Sequence, residues 1–348
     1  RILVTGGLGF IGSHTSLLLI EKGYEIFIVD SLVNSSIKAL ERINNIIDIK
    51  YPNMKNKLSF FKGDLRNQSF VKEIFSNQNK IGKPITGVIH FAGLKSINES
   101  INDPLRYWDF NLVSTINLLK IMDSFDCRTI VFSSSASVYG TPIIDLINED
   151  QKLDPINPYG LTKLTIENLL ANIYESSYKE WKIINLRYFN PIGAHPSGLL
   201  GEAPMGIPNN IFPLISQVAL GEIKCFTIYG KDWPTIDGTG VRDYIHVMDL
   251  ANGHFYALDY LINNSPKLLS LNVGTGIGTS VLDLIKTFER VNNINVPFQF
   301  SDRRKGDAAV VVADNSLVKN ILKWKPERNI EDMCRDGWKW NKLNPKGY

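Results

Sequence analysis

Cysteine is scarce: the chain has three in 348 residues, Cys127, Cys225 and Cys334. An odd, scattered set excludes a disulfide framework and a thiolate zinc site, and predicts a reducing, cytoplasmic compartment. Long apolar runs are missing too. None approaches the ~20 residues of a membrane span, and the first run, Ile2–Val4, reads as a strand and not as a signal peptide. Charge of one sign is equally lacking. Lys and Arg number 38 against 35 Asp and Glu, leaving +3 with no like-charge block, so a nucleic-acid partner has no compositional basis. His90, His195 and His246 lack ligand spacing, and no metal is expected. Repeats and low-complexity tracts are absent. The chain begins at Arg1 and not at methionine, which leaves open whether residues precede it.

What the sequence does hold is organised around its start. The apolar run Ile2–Val4 leads into Gly6, Gly9 and Gly12, spaced G-x-x-G-x-x-G, and then into a helix-length segment that stops before Gly23. Strand, glycine turn and helix form a dinucleotide-binding start. A Cβ in the turn would hold a pyrophosphate away from the backbone, and the helix N-terminus offers N–H groups and a partial positive charge. A second apolar run, Tyr24–Val29, ends in Asp30. A carboxylate about 20 residues past the glycines accepts from ribose hydroxyls and disfavours a 2′-phosphate, so NAD is expected over NADP. The rival reading of Asp30 is a loop cap.

Further strands are predicted at Leu58–Lys62, Gly87–His90, Thr129–Phe132 and Trp181–Arg187, with helical patterns between, notably Leu105–Phe125 and Leu161–Tyr178. The fold class is α/β, a doubly wound parallel sheet with a smaller C-terminal substrate-binding domain. The expected division is residues 1–188, with a returning segment at about 241–275, against 189–240 and 276–348. Asn45–Lys57 reads as a polar surface excursion, and Pro191–Asn210 as a long Gly/Pro/Asn-rich loop of the kind that holds ligands.

The sharpest chemical signal is Tyr159-Gly-Leu-Thr-Lys163, entered through Asn157-Pro158. Tyrosine and lysine at i and i+4 share a helix face. A phenol titrates near ~10. A neighbouring ammonium and an oxidised nicotinamide would lower that value, so that the phenolate takes a proton from a sugar hydroxyl. The serine-tipped run ending in Ser133, Ser134 and Ser135 lies about two dozen residues earlier.

Together, Gly6-x-x-Gly9-x-x-Gly12, Ser135 and Tyr159-x-x-x-Lys163 resemble the extended short-chain dehydrogenase/reductases. Longer blocks resemble the nucleotide-sugar 4-epimerases of that family: His90–Lys95, Phe132–Gly140, Arg187–Gly198, Gly206–Asn210, Asp237–Leu250 and Asn344–Tyr348. The resemblance covers nearly the whole chain. It implies NAD-dependent, reversible inversion at C4 of a UDP-hexose through a 4-keto intermediate, with Tyr159 as base, Lys163 tuning it and Ser135 relaying the proton. It implies cofactor contacts from Gly6, Gly9, Phe10, Ile11, Gly12, Asp30, Asn34, Ser35, Asp64, Leu65, Phe91, Ala92, Gly93, Lys95, Asn111, Ser133, Tyr159, Lys163 and Tyr188. For the nucleotide-sugar it implies Lys95, Ser135, Tyr159, Asn190, Asn209, Asn210, Thr227, Tyr229, Arg242, Arg304, Asp307 and Val311. The two arginines suit a diphosphate, since guanidinium binds it through paired donors.

Val311 departs from members with a bulky tyrosine bordering the sugar's 2-substituent. A small residue there implies turnover of UDP-N-acetylglucosamine and UDP-N-acetylgalactosamine as well. The alternatives are a 4,6-dehydratase, a UDP-pentose or uronate 4-epimerase, and a non-catalytic NAD-binding module. Related dehydratases carry an Asp-Glu pair just after the serine or threonine, where this chain has Ala136 and Ser137, and non-catalytic relatives tend to lose the tyrosine or lysine that this chain keeps. Surplus apolar residues on 105–125 and 161–178 predict a partner surface, and the resemblance implies a homodimer through a four-helix bundle of these segments.

Overall fold

Seven strands lie side by side in the order Leu268–Val273, Lys182–Tyr188, Thr129–Ser135, Gly87–His90, Ile2–Thr5, Ile26–Asp30, Leu58–Lys62. This computed structural model describes residues 1–142, 146–206, 208, 210–304 and 306–348. From Thr129–Ser135 across to Leu58–Lys62 every pairing is parallel. Strands buried on both faces need apolar residues throughout, and Ile2, Leu3, Val4, Ile26, Ile28, Val88 and Ile89 are all fully buried. The predicted strands are therefore present, within one to three residues at their ends. Chain order reverses between Ile2–Thr5 and Gly87–His90, which leaves a crevice beyond their carboxyl ends where such sheets take ligands.

The chain divides into two units. The first is Arg1–Gly140, Leu153–Arg187 and Ala251–Leu271; the second is Thr141–Lys152, Tyr188–Leu250 and Asn272–Tyr348. The returning segment is thus shorter than the expected 241–275. Its first ten residues stay in the second unit because Val241–His246 is a strand there, paired with Asn190–Ile192, Gly278–Ser280 and Val310–Ala313. Thr141–Lys152 also belongs to the second unit, through the pairing of Leu146–Ile147 with Val312–Ala313. The second unit's core gathers Phe212, Ile215, Phe226, Ile228, Leu284, Phe288 and Met333.

Two other expectations change. The helix Ile37–Lys50 runs through half of the supposed surface excursion, because Ile43, Ile46 and Ile47 recur at i, i+3 and i+4 and are buried. The helix expected over 105–125 comprises Pro104–Tyr107, a π-helical turn over Trp108–Val113, and Ser114–Ser124. Among the described residues no helix is long and apolar enough to cross a membrane.

Candidate active site

The glycine turn follows the first strand directly. Gly6 has φ +66°, and a Cβ there would lie 2.7 Å from Ala92 N; one on Gly12 would lie 2.3 Å from Gly6 O. These two glycines close the turn against its own backbone and against the loop after Gly87–His90. Gly9 differs: a Cβ would meet only Gly6 O, at 3.3 Å, within 4 Å. Gly9 also starts the helix Phe10–Glu21 without a side-chain cap. The first N–H groups of any helix lack internal partners, so Phe10, Ile11 and Gly12 present donors beside an open face. This is the cradle that a pyrophosphate fits.

Asp30 is more committed than expected. Its carboxylate accepts from Leu8 N at 3.0 Å, Leu32 N at 2.9 Å and Ser35 Oγ at 2.7 Å. A carboxylate offers about four acceptor positions, so one remains for a ribose hydroxyl. Both readings of Asp30 are compatible: it ties the glycine turn to the next loop and keeps an acceptor in hand. Asn34, by contrast, is exposed.

Asp64 is gripped by Arg66, which donates from Nη2 at 2.6 Å and from its own backbone N at 2.9 Å. Arg66 also stacks 3.6 Å from the Phe110 ring centre and pairs with Asp109. Hydrogen bonding to Arg66 holds the Asp64 carboxyl below its ordinary range. Leu65 beside it is buried.

The loop Phe91–Lys95 is pinned from below by Asn111, which sits in the π-helical turn and is fully buried. Asn111 accepts from Leu94 N at 2.7 Å and donates to Leu94 O at 3.1 Å and Thr162 Oγ1 at 3.0 Å. It therefore joins the loop to the helix Pro158–Ser176. Lys95 itself is exposed.

His90 is neutral and structural. Its Nδ1 lies 2.7 Å from Thr5 Oγ1 and its Nε2 2.8 Å from Thr115 Oγ1. Thr115 Oγ1 donates to Asn111 O and so accepts from His90 Nε2–H, which leaves Nδ1 to accept from Thr5. Burial, aided by the Lys163 charge, pushes the imidazole down to about 3.

The helix Pro158–Ser176 begins with an Asn157 cap, whose side chain accepts from Gly160 N at 2.8 Å, and with proline in its first turn. That start aims Tyr159 and Lys163 at the serine tip of Thr129–Ser135. Ser135 hydrogen-bonds the Tyr159 phenol. Ser135 Oγ also lies 2.5 Å from Ser137 Oγ. Lys163 Nζ donates to Ser133 O at 2.7 Å and stands 5.8 Å from the Tyr159 ring centre. Burial lowers the ammonium to about 8. Burial raises the Tyr159 phenol above its ordinary value, and only the Ser135 hydrogen bond works against it.

One turn further along, Glu167 accepts from Ser134 Oγ and is clasped by Arg187, Nη2 to Oε2 at 2.6 Å. Nothing in the motif reading singled out this pair. The available signal was a carboxylate at i+8 from Tyr159 together with an arginine closing an apolar strand.

The second unit carries the residues expected to take the nucleotide-sugar. Arg242 Nη1 donates to Val241 O at 2.8 Å and Ala308 O at 2.9 Å, and Nη2 to Asp307 Oδ1 at 2.8 Å. Two of the five guanidinium N–H groups are left over. Asp307 N donates to Arg304 O at 3.2 Å, and the Arg304 guanidinium stacks 4.0 Å from the Tyr229 ring centre. Val311 stands opposite Arg242 in parallel register, so both side chains leave the sheet on one face. Thr227 is on the same strand as Tyr229, Asn190 pairs with Tyr244, and Asn210 donates to Glu202 Oε1 at 2.6 Å. Tyr188 is buried. Asn209 lies outside the described residues.

Comparison with known proteins agrees with this chemistry. The profile of the GDP-mannose 4,6 dehydratase family matches residues 3–337. A UDP-glucose 4-epimerase of Bacillus subtilis is 47% identical, covering 100% of this chain and 98% of its own. A bifunctional UDP-glucose and UDP-xylose 4-epimerase of Arabidopsis thaliana is also 47% identical, over 100% of this chain and 97% of its own. The crystal structure of a UDP-glucose 4-epimerase from Bifidobacterium longum, in complex with NAD⁺ and UDP, superposes with TM-score 0.91 at 44% identity, covering 100% of this chain and 99% of that one. The chain belongs to the UDP-glucose 4-epimerase family of the extended short-chain dehydrogenase/reductases.

Proposed function

We propose that this protein is an NAD-dependent isomerase that reversibly inverts C4 of a UDP-hexose, interconverting UDP-galactose and UDP-glucose. The observation that carries the reading is the meeting of Tyr159 and Lys163 with the tip serines Ser135 and Ser133. When bound, NAD⁺ supplies an acceptor for the C4 hydrogen with its electron pair and later returns it. Gly9 and the N–H groups of Phe10, Ile11 and Gly12 hold its pyrophosphate, and Asp30 accepts from its ribose. Ser135 hydrogen-bonds the sugar O4 and orients it. Tyr159 takes the O4 proton, leaving a 4-keto sugar, and gives the proton back after the sugar has presented its other face. Lys163 keeps a positive charge beside the phenolate. Arg242, with two N–H groups uncommitted, binds the diphosphate, and Asp307 fixes the guanidinium for it.

The small Val311, on the same face as Arg242, favours acceptance of UDP-N-acetylglucosamine and UDP-N-acetylgalactosamine. A second reading, turnover of UDP-pentoses, is favoured by the xylose activity in the name of the Arabidopsis relative. We also propose a homodimer. Leu105 is 79% exposed, and Val113 and Leu161 are 41% and 43% exposed, on the segments expected to form a four-helix bundle. Free thiols at all three cysteines are consistent with a cytoplasmic setting.

The test is a side-by-side assay on UDP-galactose and UDP-N-acetylgalactosamine. Both are expected to be epimerised with no net consumption of dinucleotide. Tyr159→Phe should lower kcat by ~10²–10⁴, and Val311→Tyr should abolish the N-acetyl activity alone. No turnover of UDP-galactose overturns the reading; no turnover of the N-acetyl sugar by an enzyme active on UDP-galactose overturns the specificity.

A further inference from the structure

Tyr159, Lys163 and Glu167 stand at i, i+4 and i+8 on one helix face, and each engages a different one of three successive serines. Tyr159 meets Ser135, Lys163 donates to Ser133 O at 2.7 Å, and Ser134 Oγ donates to Glu167 Oε1. Glu167 is in turn held by Arg187, whose Nε lies 3.0 Å from Oε1 and whose Nη2 lies 2.6 Å from Oε2, with both side chains 5% exposed. Arg187 also donates from Nη1 to Tyr139 OH at 3.0 Å, and Tyr139 closes the turn that follows Ser135. The middle serine is therefore clasped from one side while the turn beyond the last serine is held from the other.

We propose that Glu167, fixed by Arg187, is a positioning residue that sets the register between the catalytic helix and the serine-tipped strand. The inference rests on the reading of Tyr159 as the base. A slip of one residue on either element would exchange the serine that each side chain meets, so a clasp at Ser134 fixes both neighbours at once. Core packing alone does not specify this. The apolar contacts of Ile166 and Leu170 are non-directional, whereas hydrogen bonds to Ser134 and Arg187 have one geometry.

Glu167 also acts through charge. Facing Lys163 Nζ are the Ser133 carbonyl and the Phe132 and Tyr159 rings. The neutral His90 lies on the neighbouring strand, and Arg187 stands beyond Glu167 and is paired with it. Glu167 is the negative charge that opposes the loss of the lysine's proton on burial. Without it the ammonium gives up its proton at lower pH, and the alkaline limb of the rate moves down with it.

Steady-state kinetics on UDP-galactose across pH separates the two effects. Glu167→Gln removes the charge and should lower kcat at least about tenfold while moving the alkaline limb down by about one pH unit. Glu167→Asp keeps the charge but withdraws the carboxylate from Ser134, so kcat should fall with the limb in place. Ser134→Ala leaves the ion pair intact and should give a few-fold loss, again with the limb unmoved. A folded Glu167→Gln with unchanged kcat and unchanged limb overturns the inference. If that variant does not fold, wild-type kcat in both Glu167→Asp and Ser134→Ala overturns it. Lack of turnover by the unsubstituted protein overturns the functional reading instead, so the two failures are distinct.

Discussion

Alanine at Gly9 and at Gly12 should produce opposite phenotypes, although the two glycines belong to one motif. At Gly12 the added Cβ falls 2.3 Å from Gly6 O and 2.9 Å from Gly7 Cα, and both neighbours are backbone. The turn must move by more than half an ångström, which is overpacking at about 1–3 kcal/mol. At the ~2–4 °C per kcal/mol typical of a unit this size, the dinucleotide-free protein should melt roughly 2–12 °C lower. At Gly9 the φ of −69° suits alanine and the only neighbour is Gly6 O at 3.3 Å, so the dinucleotide-free protein should melt within a degree or two of the parent. Its methyl group would instead meet a pyrophosphate held in the proposed cradle. Losing one charge-assisted hydrogen bond costs about 1.5–3 kcal/mol, or about 10–150-fold in Kd. Melting curves with and without NAD read both effects. At a concentration ~100-fold above the parent's Kd, NAD should stabilise the parent by about 2.7 kcal/mol. A variant binding 100-fold more weakly would gain only about 0.4 kcal/mol by the same relation. If Gly9→Ala melts as low as Gly12→Ala without dinucleotide, or keeps the parent's NAD-induced shift, the cradle is misplaced.

Two further outcomes follow from burial. His90 is held near 3 against an unfolded value near ~6.5, so acid favours the unfolded chain. The stability it supplies is complete above about pH 6.5 and is lost as pH falls toward 3. His90→Gln should flatten that part of an acid-unfolding curve, and an unchanged curve would show the imidazole to be uninvolved. For the dimer, Leu105→Glu with Leu161→Glu should shift the protein from a dimeric to a monomeric elution volume at micromolar concentration. A parent that already elutes as a monomer refutes the interface.

The parts of the site legible in the sequence are those where side-chain type and strand position coincide. Polar residues directly after apolar runs mark the strand tips, and Tyr159 with Lys163 shares a helix face by spacing alone. Contacts made by backbone groups leave no such trace. The commitment of Asp30 to Leu8 N and Leu32 N could not be read from residue types, because any residue supplies an N–H. The π-helical turn at Trp108–Val113 was equally hidden, since no residue type marks a single wide turn, yet it buries Asn111 under the Leu94 loop. Asn45–Lys50 looked like a loop because polar residues surround Ile46 and Ile47, and tertiary burial of those two decided for helix. The sheet that Val241–His246 joins was not legible either, because the residue types of a strand do not name its partners.

The charges around Tyr159 give its acidity a condition. Burial raises the phenol, and the same burial lowers Lys163 to about 8, so both shifts oppose the charged form of the pair. His90 adds no charge, and Arg187 is neutralised by Glu167. Lys163 is thus a protein cation beside the phenol, and with its ammonium lowered only to about 8 it stays mostly protonated at neutral pH. An oxidised nicotinamide bound in the crevice where the sheet order reverses would be a second cation. Beside that positive charge Tyr159 would favour the phenolate, and without it the phenol would again serve as a proton donor. The site would therefore couple proton position to cofactor charge. A base that is active only when the dinucleotide is oxidised, and an acid only when it is reduced, is what inversion of a carbinol in both directions requires.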